Sequence, residues 1–314
     1  VPPPATVLGL PPALPPPLRH WKWLTAPVPA ERAAALRIAV GVVLLLDILI
    51  FYLPGLRYLY GPEAFGDPAI YDAIFAPPCW RWSFLRILPS TWGPAFLLTV
   101  WTVAAVALLV GYRPRLAAFV SWLIAVSFLQ SNPHMHNGGD QLKLVLLFML
   151  SFSPSDGRWA VRRHPLARSA TGPVLIQPWP LRLLMIQLAV MYFMNGYYKA
   201  MGPQWRDGSV MIDVANNPAW AHFSPNYLPL PDDALRVLAW GTVVWELFFP
   251  VLVLMPLTRK ATLCIGVIFH VGTLVHLEVG WFPLYSLCYY VPLVAWERWS
   301  KTCGADPQPA RVDQ

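Results

Sequence analysis

The stretch AAALRIAVGVVLLLDILIFYL, Ala33–Leu53, decides the fold class. It is apolar over about the 20 residues that a helix needs to cross a bilayer, with two ionisable residues, Arg37 and Asp47, inside it. Working outward, similar stretches occur at Pro94–Gly111, Leu116–Ser131, Leu181–Lys199, Ala234–Leu254, Ala261–Leu277 and Phe282–Trp296. A further one, Gln141–Phe152, is short: at 1.5 Å of rise per residue it would cover only about 18 Å of a hydrocarbon layer about 30 Å thick. Composition agrees with a membrane chain. Of the 314 residues 56% are hydrophobic and 12% charged, where soluble domains carry about 25% charged residues. The 16 Trp, 12 Tyr and 15 Phe suit the two water boundaries of a bilayer.

Charge sets the expected topology. With the N-terminus inside, the segments around Arg19, Lys22 and Arg32, the Arg113–Arg115 turn, Arg158–Arg182, the Arg259–Lys260 turn and the C-terminus collect most of the 23 basic residues. The opposite loops hold fewer, diluted by Asp and Glu, as the positive-inside rule requires if all eight stretches cross. The expectation is therefore an all-α, polytopic integral membrane bundle of about eight transmembrane helices in the cell membrane, both termini cytoplasmic. Residues 1–31 read as a Pro-rich flexible tail, 32–297 as the membrane domain and 298–314 as a second flexible tail. The lipid bilayer is the first partner, and the scattered basic residues give no reason to expect nucleic acid. Four unclustered Cys imply neither a zinc site nor a disulfide framework.

That topology gathers the chemistry-bearing residues on the external side. SNPHMHNGGD, Ser131–Asp140, joins two short spans, so its backbone is expected at membrane depth as a re-entrant-like turn lining a cavity. Gly138 and Gly139 permit the tight turn and Asp140 is placed to cap the next helix. His134 and His136 point the same way from an extended strand. They read as loop-anchoring residues first and as proton-transfer or substrate-binding residues second, and no third metal ligand lies at short spacing. Lys199 closes an apolar helix, and an intramembrane cation is a functional hypothesis by default, with a snorkelling interface lysine as the plain alternative. Asn195 and Gly196 open its helix face one turn earlier, and Trp205 with Asp207 return toward it after the Gly202–Pro203 turn. Asp47, Glu246, His270 and His276 are further polar groups inside spans, each open to simple pairing with Arg37, Lys143 or a carbonyl. Glu246 is the acid best placed to meet a lysine or histidine of another helix. His270 and His276 are six apart and do not share a helix face.

Several motifs together resemble a known family: ALRIAVGVVLLLDIL, YGPEAFGDP, HMHNGGDQLKLVLLFMLSFSP, YFMNGYYKAMGPQWRDG, VVWELFFP and GVIFHVGTLVHLEVGWFPLYSL. The likeness runs from about Ala33 to Glu297 and is to the HTTM (horizontally transferred transmembrane) family, the membrane domain shared with vitamin K-dependent gamma-carboxylases. It implies a helical bundle with an external active side, a carbon–carbon lyase or carboxylase class of activity, and a reduced vitamin K (menaquinol-type hydroquinone) as cofactor, with no metal. It also implies a quinone and an exported peptide or protein as partners. In the carboxylases a lysine of the YF.AG..K helix deprotonates the hydroquinone, and the matching position here is Lys199. The implied catalytic pair is Lys199 and His136. The substrate-binding set is His134, Asn137, Asp140, Asn195, Trp205, Asp207, Glu246 and His270. This chain departs from the family by its HMHNGGD loop and by the missing propeptide-recognising domain. The alternatives are a non-catalytic helper in maturation or export of a secreted peptide, and a small-solute transporter.

Overall fold

A computed structural model describes residues 4–11, 21–64, 66–67, 70, 82–132, 135–223, 227 and 230–302. Helices dominate. They are α1 (Glu31–Tyr60), α2 (Gly93–Val110), α3 (Pro114–Ser131), α4 (Gly138–Phe152), α5 (Trp179–Met201), α6 (Val210–Asn216), α7 (Asp232–Leu254), α8 (Arg259–His276) and α9 (Phe282–Tyr290). Short strands are β1 (Thr6–Leu8), β2 (Val28–Pro29) and β3 (Val174–Ile176).

Four helices, α1, α2, α3 and α7, are long and apolar enough to cross a membrane. Of the other four expected spans, three are helical through most of their length and one only in its first part. None meets both the length and the apolarity of a crossing helix, so the count of eight rests on the charge argument alone. α4 starts three residues earlier than expected and has 15 residues, or about 22 Å of rise. α5 has 23 residues but carries Arg182, Gln187, Asn195 and Lys199. The stretch expected as one span over Phe282–Trp296 is not a continuous helix. α9 stops at Tyr290, a 3-10 turn covers Val291–Leu293, and the chain is extended at Val294. Pro292 lacks an N–H and disfavours helical backbone at Val291, which accounts for the break. Pro250, by contrast, lies within α7 without ending it.

The chain divides into two compact units. One comprises Val1–His136, Lys143–Arg182 and Cys288–Gln314, the other Asn137–Leu142 and Leu183–Leu287.

In the first unit α1 runs past the expected end at Leu53 to Tyr60, through a π-helical turn at Ile48–Tyr52. It crosses α2 at Gly41, where a Cβ would lie 2.9 Å from the Leu109 Cα. α2 ends on Gly111, whose φ of 77° is the left-handed C-cap that glycine tolerates, and Pro114 opens α3. Arg37 is fully buried. Its guanidinium donates to the carbonyls of Leu108 at 2.8 Å, Ser155 at 3.2 Å and Trp159 at 2.5 Å, and to that of Leu109. The last carbonyls of a helix lack full intrahelical pairing, and here a fork of N–H groups adds donors where the helix dipole is negative.

Asp47 pairs with Lys143 of α4, Oδ2 to Nζ 2.9 Å, and Lys143 also donates to the Tyr52 hydroxyl at 3.1 Å. Residues 47 and 52 are one π turn apart, so the wider turn brings both to the same lysine. Tyr52, Tyr60, Trp101 and Phe128 pack edge-on or stacked around this pair, with ring centroids 4.8–6.2 Å apart.

Part of the segment expected as a flexible tail is ordered. Thr6–Leu8 pairs in parallel with Val174–Ile176, and Val28–Pro29 pairs antiparallel with the same strand. Leu8 and Ile176 are buried, which gives an apolar reason for the pairing. The second expected tail lies outside the described residues beyond Thr302.

Candidate functional site

The second unit holds the Lys199 helix, and small residues set its geometry. α5 and α7 meet at Gly196: a Cβ there would fall 2.7 Å from the Leu247 amide nitrogen and 3.0 Å from the Glu246 Cβ. Backbones approach this closely only over glycine. Lys199 stands one turn further along α5, and its Nζ reaches Glu246 Oε1 at 2.6 Å. After Met201 the chain turns at Gly202 and Pro203, whose one-turn helix Pro203–Arg206 carries Trp205 back. The Lys199 ammonium lies 4.9 Å from the centre of the Trp205 ring, within cation–π range.

Exposure differs across the pair. The Lys199 side chain is 24% exposed and that of Glu246 3%. Glu246 Oε2 and the neighbouring indole Nε1 of Trp245 have no hydrogen-bond partner among the described residues. A buried acceptor and a buried donor left open are costly in a finished core and useful where a ligand supplies the missing groups.

One helical turn and more away along α5, the Tyr192 hydroxyl meets His270 Nε2 at 2.5 Å. Both side chains are buried. The Tyr192 ring lies 4.8 Å from Trp245 and 4.1 Å from Phe249, and His270 faces Phe282 at 5.7 Å. Phe282 in turn supports the start of α4, since a Cβ on Gly138 would touch its ring at 3.0 Å and one on Gly139 its amide nitrogen at 2.6 Å. There Asn137 and Asp140 form a reciprocal cap: Asn137 Oδ1 accepts the Gly139 N–H at 2.8 Å, and Asp140 Oδ2 accepts the Asn137 N–H at 3.0 Å. Asn137, expected as a ligand-binding residue, is thus the N-cap, and Asp140 acts from the third position inside the helix.

The structure brings Lys199, Trp205 and Glu246 into one cluster, with His270 held by Tyr192. Asn195 is half-buried one turn before Lys199. Asp207, expected to return toward the lysine, makes its bonds elsewhere. Its Oδ1 accepts the Ser209 N–H at 2.8 Å, its carbonyl accepts from Arg236, and the Ser209 bonds hold its carboxyl below the usual range. A tight turn around Gly208, at φ 78°, consumes it locally. His136 belongs to the first unit, where its Nε2 lies 2.9 Å from the Leu129 carbonyl at the end of α3. His134 lies outside the described residues.

Two residues of the cluster escape a reading by residue chemistry alone, Tyr192 and Trp245. Spacing could have found the first: Tyr192, Gly196 and Lys199 follow i, i+4, i+7, one face of a helix. On α7 the buried positions Ala239, Thr242, Glu246, Phe249 and Val253 make the same kind of stripe.

Comparison with known proteins adds a family and little chemistry. No solved structure matches the chain. An uncharacterized protein of Bacillus subtilis (strain 168), YitO, is 29% identical over 121 residues, covering 37% of this chain and 38% of the relative. The match thus spans well under half of that protein's length. The model of the HTTM domain matches residues 26–299, nearly the whole sequence, and with its apolar helices the chain is a membrane protein that belongs to the HTTM family.

Proposed function

We propose that this protein is a hydroquinone-dependent membrane enzyme of the carboxylase-like or oxygenating kind, with Lys199 as its base. One observation carries the reading: an amine and a carboxylate 2.6 Å apart, with the second carboxylate oxygen buried and without a hydrogen-bond partner among the described residues. These residues fit a reduced vitamin K-type ring. Its hydroxyl groups can both donate and accept, an apolar ring suits Trp205, Trp245 and Phe249, and no side chain here would repel it by charge. When bound, such a hydroquinone supplies reducing power and, after deprotonation and oxygenation, the basicity to take a proton beside a carboxyl group.

The chain's own part is proton handling and positioning. An ammonium at Lys199 cannot accept a proton until it has lost one, and Glu246 Oε1 is the acceptor within hydrogen-bond reach. Transfer from Nζ to Oε1 leaves a neutral amine beside a carboxylic acid. That amine can then take a hydroxyl proton from a ligand. The Trp205 ring covers the amine, and the Tyr192–His270 bond fixes the wall behind it. In the topology drawn from charge, the site opens to the external side and both termini are cytoplasmic; the family resemblance adds a quinone or an exported peptide as what is acted on.

Lys199→Arg tests the base. Arginine keeps the ion pair but does not deprotonate at working pH. The expected result is a folded, monodisperse protein that co-purifies a quinone and turns nothing over; full activity in this variant, or in Lys199→Ala, removes the lysine from the mechanism. A second reading, a helper that binds a secreted peptide, is favoured by the Lys199–Glu246 ion pair serving as a structural tie between α5 and α7. It predicts that Lys199→Arg leaves function intact and that a peptide, not a quinone, co-purifies.

A further inference from the structure

A separate cavity of about 480 Å³ lies between α6, α7 and α8. Its walls are mostly apolar, with Met211 and Val214 from α6, Leu235 and Leu238 from α7, and Ile268 and Phe269 from α8. Polar residues stand in the same lining, Asn216, Thr242, Thr273 and His276, with Asp232 the charged one at its edge of α7. On α8, Gly272 also lines it, and a Cβ there would meet no atom within 4 Å, so this helix face is open.

The segment Trp220–Phe223 crosses the end of α8 as a strap and supplies Ala221 and Phe223 to the lining. Ala221 and Leu277 form an isolated β-bridge, the His222 N–H donates to the His276 carbonyl at 3.0 Å, and the Glu278 N–H donates to the Trp220 carbonyl at 2.8 Å. His222 then clasps the strap by its side chain. Its Nδ1 lies 3.0 Å from the Val275 carbonyl and its Nε2 2.8 Å from Glu278 Oε2. Both partners can only accept. A neutral imidazole has one N–H and satisfies one of them, so the complete clasp needs the imidazolium.

We propose that this cavity binds a small, neutral, lipid-soluble amphiphile with a hydroxyl or carbonyl end, and that the strap Trp220–Phe223, clasped through His222, is its lid. The volume falls in the range of small-molecule sites. The mostly apolar walls penalise a charged ligand by desolvation and the Asp232 carboxylate repels an anion, while Thr242 and His276 offer hydrogen bonds to one polar end. Glu278 is the charged side chain facing His222 among the described residues. His276, the other titratable group on that turn, sets its ring against Phe223 at 5.8 Å. The Glu278 carboxylate, then the Val275 carbonyl, hold the His222 pKa above its ordinary 6.5. The clasp is therefore complete below that value and is lost as pH rises through the raised one.

The inference does not depend on Lys199 being catalytic. Its test uses the full chain in phosphatidylcholine vesicles and a diazirine-bearing octanol as photolabel, with labelled residues mapped by mass spectrometry. Label is expected on α6 and on Phe269–Leu277, and unlabelled octanol should compete it away. Gly272→Trp, which fills the cavity, should cut that labelling by roughly tenfold and Gly272→Leu by less, with the lipid-facing side of α2 labelled as before. Lys199→Arg should leave it unchanged, which keeps this test apart from that of the catalytic reading. Labelling that ignores both Gly272 variants in a monodisperse protein overturns the site. For the lid, the initial labelling rate should rise between about pH 6 and about pH 9, and His222→Ala should label at the fast rate at both. Equal rates for the unaltered chain at the two pH values overturn the lid.

Discussion

Lys199 and Glu246 are joined across two helices, Nζ to Oε1 2.6 Å, because Gly196 lets the backbones of α5 and α7 touch one turn away. The pair is thus a product of a small residue as much as of its charges. In a low-dielectric setting such a pair stays in place only if the geometry holds both partners.

Gly196 and Gly272 should respond oppositely to a side chain. Gly196→Val places atoms 2.7 Å from a backbone nitrogen and should cost about 1–3 kcal/mol, as overpacking does. Gly272→Ala meets nothing and should stabilise α8 by about 0.5–1 kcal/mol. Thermal unfolding of the purified variants in one detergent measures both.

Removing one partner of the Asp47–Lys143 pair should be more damaging than removing both. The two side chains are 2% and 1% exposed. Lys143→Met removes the charge that balances a buried carboxylate and should cost on the order of 3–5 kcal/mol, whereas Asp47→Leu with Lys143→Met should recover most of it. A double-mutant cycle on unfolding midpoints reads the difference; equal losses from the single and double variants would contradict it.

Acid should weaken the Arg32–Glu297 tie. The guanidinium lies 2.9 Å from the carboxylate, and although partial burial pulls the other way, the Arg32 bonds hold Glu297 below its ordinary 4.5. A carboxylate with a lowered pKa contributes stability that is present above about the ordinary value and lost as pH falls through the lowered one. Both side chains are about a quarter exposed, so the effect is small. Glu297→Gln should differ from the unaltered chain at neutral pH and converge with it toward pH 3, by unfolding midpoint against pH.

Glu246→Gln should separate proton transfer from packing. Glutamine keeps the shape and can accept from Lys199 through its carbonyl, but it cannot take the ammonium's proton. Turnover with a hydroquinone should fall by roughly a hundredfold or more, the lower range of general acid–base contributions, while the unfolding midpoint moves little. Unchanged turnover would remove Glu246 from the proton path.

Much of this protein was legible in one dimension. Apolar runs of bilayer length fixed α1, α2, α3 and α7, because burying an unsatisfied backbone in lipid leaves the helix as the solution for a single segment. The Gly-Gly-Asp sequence announced the start of α4, and Lys199 stood out because a cation is costly in an apolar helix. What tertiary structure decided were the pairings. Asp47 took Lys143 and not Arg37, Glu246 took Lys199, and Asp207 turned to its own Ser209, since which helix faces which depends on where glycines allow contact over long sequence separations. Tyr192 acquired its meaning only when α8 delivered His270 to it. The cavity under Trp220–Phe223 has no linear signature at all, because a void is defined by how three helices and a strap pack together and not by any run of residues.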